Sequence, residues 1–466
     1  MPTFHIEQFG CRATQADGAA IERQLREKGC SPAEGAGTAE FVVLNTCTVT
    51  AAADTQARDA IRKIHAANPQ AKINVTGCYA QRAPEDLAAL PGVSYVVGNS
   101  HKPQIPNLLV SIEHPSSLAP RHSPLVYPEL RAATSFAPIL TGDIFDLSEV
   151  LVAPVLGGEG NHTRPTLKIQ DGCNSRCSFC VIPFVRGKSR SLPVNTVLSE
   201  IQRLSTSGYK EIVLSGINLG SYGRDLSPKT EFSDLLRLVL DRTSVERLRI
   251  SSIEPLDVTA DLVEFFAAND RLAPHFHMPL QSASNRILAA MHRWYRAEHY
   301  ARRLEFIRER LPHAAIGADV ITGFPGETEE DHSATLNFIE SLPFTYLHVF
   351  SYSSRPATKA AALPNQVSGT IIKRRARELR ALAGKKSSEF RTSQIGRELR
   401  VLTLRRDAGD LNVETTPAIS ENYLTVNLPA LLDPNQFFSV MITAQDGKNL
   451  LASLPQPVFA AMEGAD

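Results

Sequence analysis

Three thiols stand at Cys173-x3-Cys177-x2-Cys180, inside the string LKIQDGCNSRCSFCVIPFVRGKSR at 167–190. Three thiolates this close can hold three irons of a cubane, which leaves the fourth iron without a protein ligand. An open coordination position on a metal centre is where a substrate binds. Spacing alone leaves two other readings open, a zinc site or thiols that are merely buried. Zinc prefers four ligands and usually joins C-x2-C to a distant second pair, which this chain lacks. The other cysteines are 11, 30, 47 and 78. An odd count of seven, with no apolar leader in the first residues, argues for reduced thiols over a disulfide framework.

The elements that carry these thiols can be read from periodicity. Strands are expected at 3–9, 41–46, 72–76 and 93–97, with helices at about 15–28, 53–67 and 84–89 between them. That alternation predicts a doubly wound parallel α/β domain. Cys11, Cys47 and Cys78 each fall just past a strand's C-terminal end. In a parallel sheet those ends share one edge, at about 4.8 Å per strand, and ligands bind along it. A second iron–sulfur cluster with one free iron is the sharp expectation; three independent half-buried thiols is the plain one. Cys30, in a turn after a helix, does not share the pattern and is expected to be structural or incidental.

From 166 onward six more strand–helix pairs follow, with strands at 166–171, 211–217, 247–253, 275–280, 315–323 and 346–352. Six such units predict a partial (βα)6 TIM-type barrel whose site lies at the C-terminal strand ends. Cys173, Cys177 and Cys180 follow the first strand, Asn218 the second, Glu254 the third and Gln281 the fourth. A basic helix is expected at about 366–390, then short alternating runs that read as a small β-barrel. The expected domains are 1–105, a Pro/Ser/Gly-rich linker at 106–160 containing a strand at 148–154, the barrel domain at 161–390 and the β domain at 391–458, with a frayed tail.

Composition sets the outer bounds. At 43% hydrophobic and 21% charged residues, 466 residues make a soluble globular chain of about three domains. No run approaches the ~18 apolar residues of a membrane helix, so a cytoplasmic protein, expected to be a monomer, is the reading. Net charge is zero, yet 371–406 gathers twelve Lys and Arg, from Lys373 to Arg406, against Glu378, Glu389 and Glu398. Such local charge suits phosphates, or simply a solvated helix face.

The cysteine strings also carry a resemblance. Cys-x3-Cys-x2-Cys is the signature of the radical S-adenosylmethionine (SAM) enzymes. Added to Gly10-Cys11, Asn45-Thr46-Cys47, Gly77-Cys78-Tyr79-Ala80-Gln81, Gly216-Ile217-Asn218, Ser251-Ser252-Ile253-Glu254-Pro255 and Gly323-Phe324-Pro325-Gly326-Glu327-Thr328, it makes the chain resemble the methylthiotransferase subfamily over roughly 1–100 and 165–455. The resemblance implies two [4Fe–4S] clusters and SAM as cofactors. Cys173, Cys177 and Cys180 would hold the cluster that splits SAM to a 5′-deoxyadenosyl radical, and Cys11, Cys47 and Cys78 the cluster that carries the sulfur. It also implies a TRAM-like C-terminal domain that contacts RNA, external electron and sulfur donors, and a tRNA anticodon stem-loop as partner. GCRATQAD, NTCTVT and GCYAQ are most similar to the branch acting on C2 of N6-threonylcarbamoyladenosine at position 37 of tRNA. The isopentenyladenosine branch, the branch acting on a ribosomal protein, and a non-enzymatic iron–sulfur protein are the alternatives.

Two departures accompany the resemblance. Ala283 stands where the subfamily usually has glycine. The Gly-Gly-Glu string that many radical SAM proteins use for the SAM amino group is replaced by Ser215-Gly216-Ile217-Asn218. Glu254, Gln281 and Asn218 are therefore the candidate SAM contacts, with barrel-rim hydrogen bonding as the alternative for the first two. Arg186, Lys188 and Arg190 are candidates for phosphate contacts. His275 and His277 alternate on one strand and face one side, so a hydrogen-bonded rim or core pair, and not metal ligands, is expected there.

Overall fold

The computed structural model describes residues 2–113, 136–147, 149–151, 153–155, 163–406 and 414–454. It divides into two compact units: Met1–Val155 with Gln170–Arg190 and Ser353–Ala361, and Leu156–Ile169 with Ser191–Tyr352 and Ala362–Asp466. The first unit thus gathers pieces from three parts of the chain.

Its centre is a six-stranded parallel sheet. In space the order runs Ser31–Pro32, Thr3–Gln8, Phe41–Thr46, Lys72–Gly77, Val93–Gly98, Ile139–Leu140. Strand Phe41–Thr46 is buried along its whole length, as expected of a parallel strand covered on both faces. Alternate residues divide between two cores. Val42 and Leu44 pack with Ile73, Val75, Ala57 and Ile61. Phe41 and Val43 pack with Phe4, Ile21 and Leu25. Cys30 lies buried in the second of these cores.

The order matters more than the strand count. Thr3–Gln8 lies between a strand that follows it in sequence and Phe41–Thr46 on the other side, so the winding reverses there. Ligands in open α/β sheets bind in the crevice at such a reversal, outside the carboxyl ends of the strands. Cys11 and Cys47 follow the two strands that flank it.

The second unit contains the six parallel strands expected of the partial barrel: Thr166–Lys168, Glu211–Ser215, Arg247–Ile250, His275–His277, Ala315–Thr322 and Tyr346–Ser351. The first three pair in the order third–second–first, and the last three pair in sequence. A parallel bridge from Leu248 to Leu272 joins the two sets. Helices fill the intervals, and their starts are chemically marked. Thr328 and Asp331 close a capping box at Glu329–Ser341, and Ser368 caps the basic helix Gly369–Thr392.

The C-terminal strands Glu398–Thr403, Thr416–Ser420, Thr425–Leu428, Phe437–Asp446 and Asn449–Ser453 close into a five-stranded barrel around Val401, Val426, Val440 and Leu450. It is fixed to the larger barrel by two fully buried arginines. Arg247 Nε donates to Glu211 Oε2 (2.6 Å) and Arg249 Nε to Glu211 Oε1 (2.7 Å). Their outer nitrogens donate to the carbonyls of Arg400, Ile419, Ser420 and Glu421 in the small barrel. Burial opposes the Glu211 charge, but Arg249, Arg247 and Arg164 hold its carboxyl far below the usual range. No helix among the described residues is long and apolar enough to cross a membrane. Most of the expected linker, parts of the strand expected at 148–154 and the expected tail lie outside the described residues.

Candidate functional site

All six cysteines of the two trios belong to the first unit. Cys47 and Cys78 directly follow strands that are neighbours in register, with Thr46 opposite Gly77. Cys11 caps the N-terminus of helix Arg12–Glu27, and Cys78 opens the short helix Cys78–Arg82. Local backbone makes room for the first trio. Gly10 sits at φ 106°, and a Cβ there would lie 2.5 Å from the Cys47 Cβ, so only glycine lets the two thiol segments approach.

The second trio lies in a loop without regular structure between Gln170–Asp171 and the helix Ile182–Arg186. Gly172 (φ 71°) opens it; a Cβ would stand 2.0 Å from the Lys188 carbonyl oxygen. The loop's far end packs on the first trio, with Cys78 in one apolar cluster with Val181 and Val185. Asn99, just past the end of strand Val93–Gly98, bridges the same two segments. Its Nδ2 lies 2.7 Å from the Val185 carbonyl oxygen and 3.6 Å from Cys78 Sγ.

A buried charge network reinforces the link. Arg186 donates to Asp171 Oδ1 (2.9 Å), Asp17 Oδ2 (3.1 Å) and Thr14 Oγ1 (3.3 Å). Lys102 Nζ reaches the same Asp17 oxygen at 2.8 Å and Asn45 Oδ1 at 3.3 Å. A second knot ties in residues 353–361. Arg355 reaches Asp54 and, at 2.9 Å, Thr48 Oγ1, while Arg82 bonds the same pair at 2.9 and 2.7 Å.

This geometry corrects part of the phosphate expectation. Arg186 is 2% exposed and its guanidinium serves Asp17 and Asp171. Arg190 is buried too, and donates to the carbonyls of Arg186 and Lys188 at 2.9 and 2.8 Å. A buried guanidinium needs partners: Arg186 finds them in Asp17 and Asp171, Arg190 in backbone carbonyls. Lys188 is exposed and keeps its candidacy.

The candidate SAM contacts lie in the second unit. Glu254 is ion-paired with Arg293. Gln281 adopts φ 62°, and its Oε1 is buried with no hydrogen bond, an acceptor left for a ligand. The positive φ thus falls on Gln281 and not on 283, which is why alanine is admitted there. Asn218 begins a short 3-10 turn, Leu219–Ser221, after the second barrel strand. Tyr222 is fully buried, with its hydroxyl on the Leu192 carbonyl.

The donor set fits iron–sulfur ligation. The seven cysteines are thiols, not disulfides. Among the described residues the set of three donors drawn within 4.8 Å is His277, Asp319 and His348, so neither thiol trio is collapsed around a single ion. Amides point at the sulfurs: Ser175 N lies 3.4 Å from Cys173 Sγ, the kind of contact that tunes a cluster. Burial, then the neighbouring Cys78, pushes the Cys47 thiol up to about 12, so a bare thiol there stays protonated. A coordinated metal deprotonates it outright.

Comparison with known proteins agrees with these sites. Residues 3–98 match the family described as uncharacterized protein family UPF0004, and 167–339 match the radical SAM superfamily. A radical S-adenosylmethionine methyltransferase, TsrM from Kitasatospora setae, solved with cobalamin and a [4Fe-4S] cluster, shares the fold at TM-score 0.57 and 16% identity, covering 77% of each chain. The chain is a radical SAM enzyme. Proteins of Aquifex aeolicus and Bacillus subtilis, both named threonylcarbamoyladenosine tRNA methylthiotransferase MtaB, are each 36% identical, over 94% of this chain and 99% of the first, and 86% of this chain and 85% of the second. A tRNA-2-methylthio-N(6)-dimethylallyladenosine synthase of Paenarthrobacter aurescens is 33% identical over 97% of this chain and 85% of its own. More narrowly, the chain belongs to the radical SAM methylthiotransferase family, and SAM and iron–sulfur cofactors go with that membership.

Proposed function

We propose that this enzyme methylthiolates C2 of N6-threonylcarbamoyladenosine at position 37 of tRNA. The observation that carries the reading is the placement of both thiol trios in one compact unit, bridged by Cys78 against Val181 and Val185 and by Arg186 between Asp17 and Asp171. The names of the relatives with 36% identity support the choice of base.

The C2–H bond of adenine is not acidic, and no general base removes that proton at neutral pH. Bound SAM and two reduced [4Fe–4S] clusters supply the radical and sulfur chemistry that such a bond needs. Cys173, Cys177 and Cys180 would hold one cluster and Cys11, Cys47 and Cys78 the other, each trio one ligand short of four irons. Arg186 and Lys102 place positive charge beside the thiols and hold the two segments at a fixed distance. Asn218, Glu254 and Gln281 are assigned to SAM, Gln281 through its buried Oε1. Lys188 and the exposed Lys373 and Arg377 of the basic helix are assigned to tRNA phosphates. An anticodon-loop base is unpaired and costs little to extract. The C-terminal barrel is read as a TRAM-like RNA contact, and the protein as a cytoplasmic monomer served by external electron and sulfur donors; of the expected linker, Ile139–Leu140 belongs instead to the sheet of the first unit.

Nucleoside mass spectrometry of tRNA from a deletion strain tests the reading. Loss of 2-methylthio-N6-threonylcarbamoyladenosine, restored by the gene, is expected. Loss of the isopentenyl counterpart instead moves the enzyme to that branch, and an unchanged digest removes tRNA as the substrate.

A further inference from the structure

The second unit contains a polar group that the methylthiolation chemistry does not use. His277, Asp319 and His348 come from three adjacent barrel strands and bring one donor atom each within 4.8 Å of the others. Asp319 Oδ1 lies 3.2 Å from His277 Nε2 and 3.2 Å from His348 Nδ1, so one oxygen serves both imidazoles. His348 hydrogen-bonds it. His277 Nε2 is buried and as close to the carboxylate, without a well-aligned hydrogen bond. The other nitrogen, Nδ1, is bonded at 2.7 Å to Ser252 Oγ. When Nδ1–H donates to Ser252, the Nε2 lone pair faces a carboxylate oxygen. A cation between the two would be held by both.

We propose that His277, Asp319 and His348 form a binding site for a divalent first-row transition metal, separate from the two thiol trios. Two imidazoles and one carboxylate on one side of an ion make the facial triad of such metals, with the remaining positions open. The spacing agrees. With metal bonds of about 2.1 Å, donors 3.2 Å apart subtend about 100° at the ion, near a facial arrangement. Ser252 supplies the outer contact that fixes the tautomer of a ligating histidine. His348 is 57% exposed, so ions have a path in, and the open positions face water or an oxygen ligand. Tyr346 and Phe350, on the same face of the strand, wall the site with rings.

The test uses the full-length, cluster-loaded protein, equilibrated with zinc ion alone and then desalted. Wild type is compared with Asp319→Asn and His348→Ala, all retaining the seven cysteines, so zinc taken by thiols cancels. Plasma mass spectrometry is expected to find about one more zinc per chain in wild type than in either variant, at equal iron content. Equal zinc in all three overturns the proposal and leaves a hydrogen-bonded relay. His348→Ala removes a mostly exposed side chain, so its folding control is secure, and its matched iron content and melting curve show that any zinc difference is local.

Discussion

Two buried charge networks serve opposite ends of this enzyme's work. At the base of the large barrel, Glu211 sits between Arg247 and Arg249, and each remaining guanidinium contact falls on a backbone carbonyl of the small barrel. That network is closed, and it fastens two folded bodies. At the thiol edge, Arg186 and Lys102 share Asp17. There burial works against the Arg186 charge, and Asp171, Cys78, Asp17 and Cys11 together more than offset it. Two of those four are candidate metal ligands. Similar chemistry makes a clamp where it meets carbonyls and an electrostatic setting where it meets thiols.

The sharpest way to break the comparison is at the thiols. Cys177→Ala should abolish 2-methylthio product, whereas Cys30→Ala, in an apolar core, should leave turnover intact; nucleoside analysis of each strain decides. Next in size is Glu211→Gln. Removing one partner of a buried ion pair costs about 3–5 kcal/mol, so denaturant unfolding should shift strongly while iron per folded chain stays constant. Equal loss of iron would merge the two networks into one role. Arg186→Met should act on the other axis. With positive charge removed beside Cys78 and Cys11, the cluster they hold becomes harder to reduce, and a potential titration followed by electron paramagnetic resonance should move to lower potential. An unchanged potential would make Arg186 a clamp like Arg247.

Smaller effects follow from Asp319 and Lys188. With its folded pKa depressed to about 2, Asp319 adds stability that is present above pH ~4 and lost as pH falls toward ~2, on the order of 2 kcal/mol. Unfolding of wild type and Asp319→Asn across that window should converge at the acid end. Lys188→Ala should weaken tRNA binding a few-fold at low salt and reduce the salt slope by about 1.

Much of this was legible in the sequence. A thiol immediately after a parallel strand needs only the strand to be recognised, so Cys47 and Cys78 were fixed by local pattern. Asn99 obeys the same rule at the next strand end and could have been found by it. Arg186 could not. Read as a basic residue after a cysteine loop, it suggests phosphate; its burial is decided by Asp17, which is remote in sequence and reaches it only through the tertiary fold. His275 and His277 read as a satisfied rim or core pair and not as ligands, because alternation shows which side a strand residue faces and not which residues of adjacent strands stand opposite. The basic run after 371 was overstated for the same reason: Arg375 is buried against Glu327, and Arg374 and Lys385 are paired with Glu329 and Glu340.

The account stands most directly on an iron count. Oxygen-free reconstituted protein should hold about eight irons per chain, two cubanes, with about four remaining when Cys11, Cys47 and Cys78 are all replaced by alanine. A wild-type chain that saturates at about four, unchanged by that triple replacement, would contradict it.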